Sequence, residues 1–126
     1  TPQEVALADA RKGVNMFKQD NINVPVLGII ENMAYFTPEE LPDNKYYIFG
    51  KDGAKHLAEN LNVSLLAQIP LVQSIRESGD AGRPAILQSG TISSIAFEEM
   101  VSKFEEEENK RNELFPPTEI DRITKY

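Results

Sequence analysis

Few residues in this chain have the types and spacing that chemistry needs. Cysteine is absent, so no thiolate can act as nucleophile or hold an iron–sulfur cluster, and no disulfide marks an oxidising compartment. His56 is the single histidine. With no cysteine or second histidine beside it, it lacks the partners of a metal site or a catalytic triad and reads as an ordinary helix residue. Glu39, Glu40 and Asp43 offer oxygen ligands to a hard cation, although a solvated acidic loop explains them more simply. The run Glu105–Glu108 reads as a solvated helix face, because adjacent carboxylates point in different directions around a helix. No Gly-x-x-x-x-Gly-Lys-Ser/Thr phosphate cradle occurs among the seven glycines. The nearest approach is Gly50-Lys51-Asp52-Gly53, ahead of a helix whose N–H groups can face an anion. Asp52 would oppose that anion, and a plain helix cap accounts for the same residues.

Two short segments are more informative: Glu31-Asn32-Met33 and Pro70-Leu71-Val72. Each follows an apolar run that reads as a strand, and in open α/β sheets ligands sit beyond the carboxyl ends of the strands. The Asn32 amide offers a donor and an acceptor, which suits an adenine edge, while Pro70 and Leu71 supply an apolar wall and free backbone groups. Asn32, Pro70 and Leu71 are therefore the candidate ligand-binding residues. The bland alternative is a helix-capping asparagine and a strand-stopping proline.

The elements that must position these residues follow from periodicity. Thr1-Pro2-Gln3-Glu4 reads as a helix start, with Thr1 as cap, Pro2 in the first turn and Glu4 closing a capping box. Ala6, Ala10, Gly13, Val14 and Phe17 then form a narrow apolar stripe, small enough for a sheet to approach closely, and the helix is predicted to end near Asp20. Val24–Ile30 reads as a strand covered on both faces. Residues 31–50 form an excursion with a short ribbon. Asp52-Gly53 opens a helix to about Asn60, and Leu65–Ile69 is a second buried strand stopped by Pro70. A helical turn covers Val72–Ser78 and a loop Gly79–Pro84. The last long helix runs from about Thr91 to Lys110, with Phe97, Met100, Val101 and Phe104 on one face, and 111–126 is a polar tail.

The 126 residues, 40% hydrophobic, suffice for one domain with one core, assigned to 1–110. The order of strands and helices signals a parallel α/β unit. Two strands are few, since an open parallel sheet normally has about five or six, so the sheet is expected to be incomplete in this chain, with an N-terminal portion missing. Twenty acidic against thirteen basic residues give a net charge of -7, which disfavours nucleic acid and anionic membrane. No apolar run approaches the roughly 20 residues of a membrane span, and the first residues lack the basic, apolar and small-residue zones of a signal peptide. A cytoplasmic address is expected.

The segments Thr1–Gly13, Val24–Phe36, Ile48-Phe49-Gly50, Ile69-Pro70-Leu71 and Ile75–Pro84, in this order and spacing, resemble the C-terminal half of Mrp/ApbC-type ATPases over roughly residues 1–105. This family belongs to the MinD-like branch of P-loop NTPases, typically nucleotide-sandwich homodimers implicated in assembling or carrying iron–sulfur clusters. The resemblance implies the C-terminal part of a doubly wound, mostly parallel sheet. It also implies ATP as cofactor of the parent protein, with Asn32 on the adenine and Pro70 and Leu71 bordering it. It puts Glu4 and Asp9 near the approach of a partner subunit's nucleotide, although capping and plain exposure also explain them. Two departures stand out. No residue present can be assigned catalysis, because the phosphate-binding loop and its acidic partners are not in this chain. The family's Cys-Pro-x-Cys is replaced by Thr37-Pro38-Glu39-Glu40, which makes cluster ligation doubtful. Two alternatives stay open: a non-enzymatic half-domain that pairs with other chains, and part of a MinD- or ParA-like positioning ATPase without cluster chemistry.

Overall fold

The computed structural model describes residues 1–115. Helix α1 spans Glu4–Phe17, strand β1 Gly28–Phe36, helix α2 Gly53–Leu61, strand β2 Ser64–Leu71, helix α3 Gln73–Asp80 and helix α4 Ile92–Leu114, with a 3-10 turn at Ala85–Leu87. The strands pair in parallel, Gly28 opposite Ser64 through Phe36 opposite Leu71, and α2 makes the crossover between them. The chain is thus α/β with a small two-stranded parallel sheet. Among the described residues no helix is long and apolar enough to cross a membrane.

The core lies where α4 crosses β2. Ala67, Ile69 and Ala96 are buried there, with Ile75, Phe97 and Met100 packed against them. On β2 the consecutive residues Ile69 and Pro70 are both buried, and since successive side chains point to opposite faces, this strand is covered on both. Strand β1 is not, contrary to expectation: Ile30 is 45% exposed and Met33 also faces solvent. Helix α4 follows the predicted face only in part. Phe97 and Met100 pack, whereas Val101 and Phe104 are exposed, because a helix about 34 Å long outruns a sheet of two strands. Its start is a true capping box, Thr91 Oγ1 accepting from the Ser94 N–H and Ser94 Oγ from the Thr91 N–H, both at 3.1 Å. The helix continues through residues 111–114, which the sequence assigned to the tail; the rest of that tail, 116–126, lies outside the described residues.

The first helix begins later than Thr1-Pro2 suggested. Gln3 is its N-cap, extended and without a side-chain cap, and Pro2 is buried with its carbonyl packed against Gly50 and Gly53. That contact holds Thr1 and Pro2 out of the helix. Of the predicted stripe only Val14 is buried, and Ala10 and Phe17 are exposed. The close approach of a neighbour occurs not at Gly13, where an added Cβ would meet nothing within 4 Å, but at Gly53, where it would collide with the Pro2 carbonyl and Leu7.

Both strand ends also differ from the sequence reading. Val24 is tied back to Phe17, its N–H donating to the Phe17 carbonyl at 3.0 Å, so pairing starts only at Gly28 and runs on to Phe36. Glu31, Asn32 and Met33 therefore lie in the strand and not in a loop after it. The strand carries a register irregularity between Asn32 and Phe36, which opens on Met33 at φ 54°. Pro70 does not stop β2, because it sits opposite that irregularity, where its missing N–H leaves no ladder bond unmade. The ribbon in the excursion is a single antiparallel bridge between Phe36 and Tyr46. Helix α3 runs past Ser78 to include Gly79 and Asp80, supported by an Arg76–Asp80 ion pair at 2.9 Å.

Candidate functional site

The site is built around the C-terminal half of β1. Glu31 ends the apolar run and is 1% exposed. Its Oε2 accepts from the Ala54 N–H of α2 at 2.7 Å, and its Oε1 accepts from Gln68 Nε2 of β2 at 2.7 Å. A buried carboxylate needs such donors, since burying an unpaired charge is strongly unfavourable. The N-terminus of α2 is a natural source, with free N–H groups and the positive end of the helix dipole. Asp52, the cap expected from sequence, stands in the left-handed region at φ 59° and makes no side-chain cap bond. The anion that meets the helix behind Gly50–Gly53 is therefore the protein's own Glu31. Lys51 turns away, its ammonium 5.0 Å from the centre of the Tyr47 ring.

The next residue, Asn32, is exposed and pairs in register with Ile69 of β2. Its Oδ1 accepts from the Met33 N–H at 2.9 Å, which fixes the side chain. Among the described residues its Nδ2 makes no hydrogen bond, and Oδ1 retains a second lone pair. Pro70 is buried and Leu71 is 36% exposed at the same end of the sheet. Pro70 and Leu71 close β2, whereas Asn32 lies within β1, paired with Ile69 next to Pro70 and ahead of the strand's end at Phe36.

Thr37 follows the strand and is 4% exposed, with an Oγ1 that has no hydrogen-bond partner among the described residues. It lines a cavity of about 380 Å³ together with Pro38, Glu40, Ser74, Thr91 and Ser93. Asn32, Pro70 and Leu71 do not line that cavity. Glu39, Glu40 and Asp43 are exposed, and among the described residues no three histidine, aspartate or glutamate side chains are placed to hold a metal ion.

The remaining candidates stand apart. Glu4 and His56 line a groove of about 460 Å³ between α1 and α2. Asp9 is exposed and pairs with Lys12 at 3.4 Å. In the acidic run Glu105, Glu106 and Glu108 are exposed, and Glu107 accepts from Lys110 Nζ at 2.7 Å, which holds its carboxyl below the usual range. The sequence reading gave Glu31 no role. The available signal was a lone carboxylate closing an apolar strand, with Gln68 as the only polar residue inside the next one.

Residues 1–105 match the family model for ParA, described as NUBPL iron-transfer P-loop NTPase. An iron-sulfur cluster carrier protein of Synechocystis sp. is 49% identical over 87 residues, 69% of this chain and 24% of its own length. The iron-sulfur protein required for NADH dehydrogenase, mitochondrial, of Arabidopsis thaliana is 41% identical over 120 residues, 90% of this chain and 37% of its own. The iron-sulfur cluster transfer protein NUBPL of Mus musculus is 42% identical over 104 residues, 82% of this chain and 32% of its own. The chain spans between 24% and 37% of the length of these curated relatives. With a parallel α/β unit and a match covering all but the last helix turns and the tail, the chain belongs to the Mrp-type family of NUBPL iron-transfer P-loop NTPases.

Proposed function

We propose that this chain forms the adenine side of an ATP site in an Mrp-type ATPase that serves iron–sulfur cluster carriage. In this reading its two strands are the C-terminal part of a doubly wound, mostly parallel sheet whose phosphate-binding half lies outside these residues. The observation that carries it is Asn32, exposed in the C-terminal half of β1 opposite Ile69, the residue before Pro70 and Leu71, with its amide fixed by the Met33 N–H. An amide held this way presents Nδ2 as donor and the second lone pair of Oδ1 as acceptor, the pair that matches an adenine edge. Pro70 and Leu71 form the apolar border. Bound ATP would supply the cleavable phosphoanhydride, while the residues present only orient the base. A homodimer in the cytoplasm is the form we assign to the parent protein.

Nucleotide titration of the full-length protein tests the reading. Asn32→Ala is expected to lower the preference for ATP over GTP about tenfold, as loss of a bidentate base contact does. An unchanged preference overturns the assignment.

The loop at Thr37–Glu40 favours a second reading of the client. A buried, unpartnered hydroxyl and exposed carboxylates are hard oxygen donors that do not fit a cluster built on soft thiolates. A cluster carried by the parent protein would be held elsewhere, or the ATPase would work as a MinD- or ParA-like positioning protein. Iron and sulfide analysis of anaerobically purified full-length protein separates the two: both elements present supports carriage, both absent supports positioning.

A further inference from the structure

Asn32 can recognise a base only if the backbone that carries it is held still, and the holding group is one residue away. Glu31 reaches inward where Asn32 faces solvent, because successive side chains on a strand point to opposite faces. Its carboxylate joins three elements at one point: β1 through its own backbone, β2 through Gln68 Nε2 and α2 through the Ala54 N–H, each bond 2.7 Å. Gln68 is also the residue opposite Glu31 in the sheet register. The anchor point on α2 is itself fixed from the other side, since Gly53 packs so closely against the Pro2 carbonyl and Leu7 that no Cβ fits between them. Packed or hydrogen-bonded contacts therefore run without a gap from Pro2 through Gly53 and Ala54 to Glu31, and so to Asn32. Beyond Asn32 the ladder loses its register, with Met33 at φ 54°, until Phe36 pairs with Leu71. Glu31 is the last residue of β1 held from both sides before that irregularity.

We propose that Glu31 is a positioning residue for nucleotide recognition, setting Asn32 against the base by clamping β1 to Gln68 and to the N-terminus of α2. The proposal rests on the adenine role of Asn32 given above. A carboxylate suits the task because it accepts two hydrogen bonds at once in a buried place and meets the positive end of α2. Glutamine can do nearly the same: its Oε1 can take the Ala54 N–H, and its amide can donate to a Gln68 side chain turned by half a rotation. Alanine can do neither.

The test compares Glu31→Ala, Glu31→Gln, Gln68→Ala and Asn32→Ala in the full-length protein, measuring Kd for ATP and for GTP and hydrogen exchange at the Ala54 amide. Glu31→Ala is expected to speed exchange at Ala54 and to lower the ATP-over-GTP preference about five- to tenfold, the range of a coupled contact. Gln68→Ala, which removes one bond and is the gentler change, should move both readouts the same way by a smaller factor, and Glu31→Gln should restore most of the preference. A folded Glu31→Ala or Gln68→Ala protein with fast Ala54 exchange and an ATP-over-GTP ratio within about twofold of the parent would overturn the proposal and leave Glu31 a stability residue. If Asn32→Ala also leaves the ratio unchanged, the adenine reading falls and the proposal falls with it. If Asn32→Ala alone changes it, that reading stands and only the clamp is refuted.

Discussion

Glu31 and Thr37 sit six positions apart on one segment, both polar and both buried, at 1% and 4% exposure, yet their surroundings are opposite. Glu31 has a donor for each carboxylate oxygen. Thr37 has none for its hydroxyl among the described residues. A satisfied buried carboxylate fastens elements together, and its removal strands the groups it served. An unsatisfied buried hydroxyl does the reverse, lowering stability while it stays. One segment therefore carries a fastening at its start and an unused polar group at its end, beside the cavity formed with α3 and α4. Between them lies Asn32, exposed on the strand.

The largest effect expected from this contrast is at Glu31. Glu31→Ala leaves the Ala54 N–H and the Gln68 amide without their partner and opens a cavity, a loss of about 3 kcal/mol. Urea denaturation checks this, and a loss under about 1 kcal/mol would break the contrast. The support behind the clamp is tested next. Gly53→Ala drives a methyl into backbone at Pro2 and is expected to destabilise by about 1–3 kcal/mol. Gly13→Ala, in a helix with open space around it, should instead stabilise by about 0.5–1 kcal/mol. Equal effects at the two glycines would mean that the α1–α2 contact does not hold the clamp.

How much of this was legible in the sequence varies from residue to residue. The helices were readable because their apolar spacing is a local signal, and α4 begins at Thr91 as expected, although the caps expected at Thr1 and Asp52 were not formed. The parallel pairing followed from the strand–helix–strand order. Asn32, Pro70 and Leu71 were expected just beyond the strands, and the structure instead places Asn32 within β1 and Pro70 and Leu71 as the last residues of β2. What local rules missed depended on contacts distant in sequence. Pro2 looked like a first-turn proline, but its carbonyl packs on Gly53. Asp52 looked like a cap, but Glu31, 23 positions before Ala54, takes that place. Pro70 looked like a stop, but lies opposite an irregularity in its partner strand. In each case a tertiary partner overrode a propensity worth about 1 kcal/mol or less.

At the other end of the segment, Thr37→Val keeps the shape of the side chain and deletes the unpartnered hydroxyl. The expected result is a gain of about 1 kcal/mol in urea denaturation. A loss would show that the hydroxyl is satisfied in solution, and the contrast with Glu31 would then disappear.

The smallest effect concerns a carboxylate outside the core. Glu107 accepts from Lys110 at 2.7 Å near the far end of α4, and this hydrogen bond, with a further one from the Ser64 side chain and the lysine charge, lowers its pKa, as the same bond raises that of Lys110. A glutamate whose folded pKa lies below its unfolded value contributes stability that is present above the unfolded pKa. That contribution is lost as pH falls through the lowered folded value. Lys110 is exposed and Glu107 only half-buried, so water and salt screen the pair and the effect on global unfolding is expected to be barely detectable. The direct readout is the carboxyl resonance of Glu107 in a pH titration by NMR. It should titrate below the ordinary glutamate range in the parent protein and move up in Lys110→Ala, with stability falling only slightly more steeply in acid for the parent. A Glu107 midpoint that does not respond to Lys110→Ala would break this last comparison: a carboxyl held mainly by one flexible lysine near the surface against a carboxyl held by a helix N-terminus and a neighbouring strand in the interior.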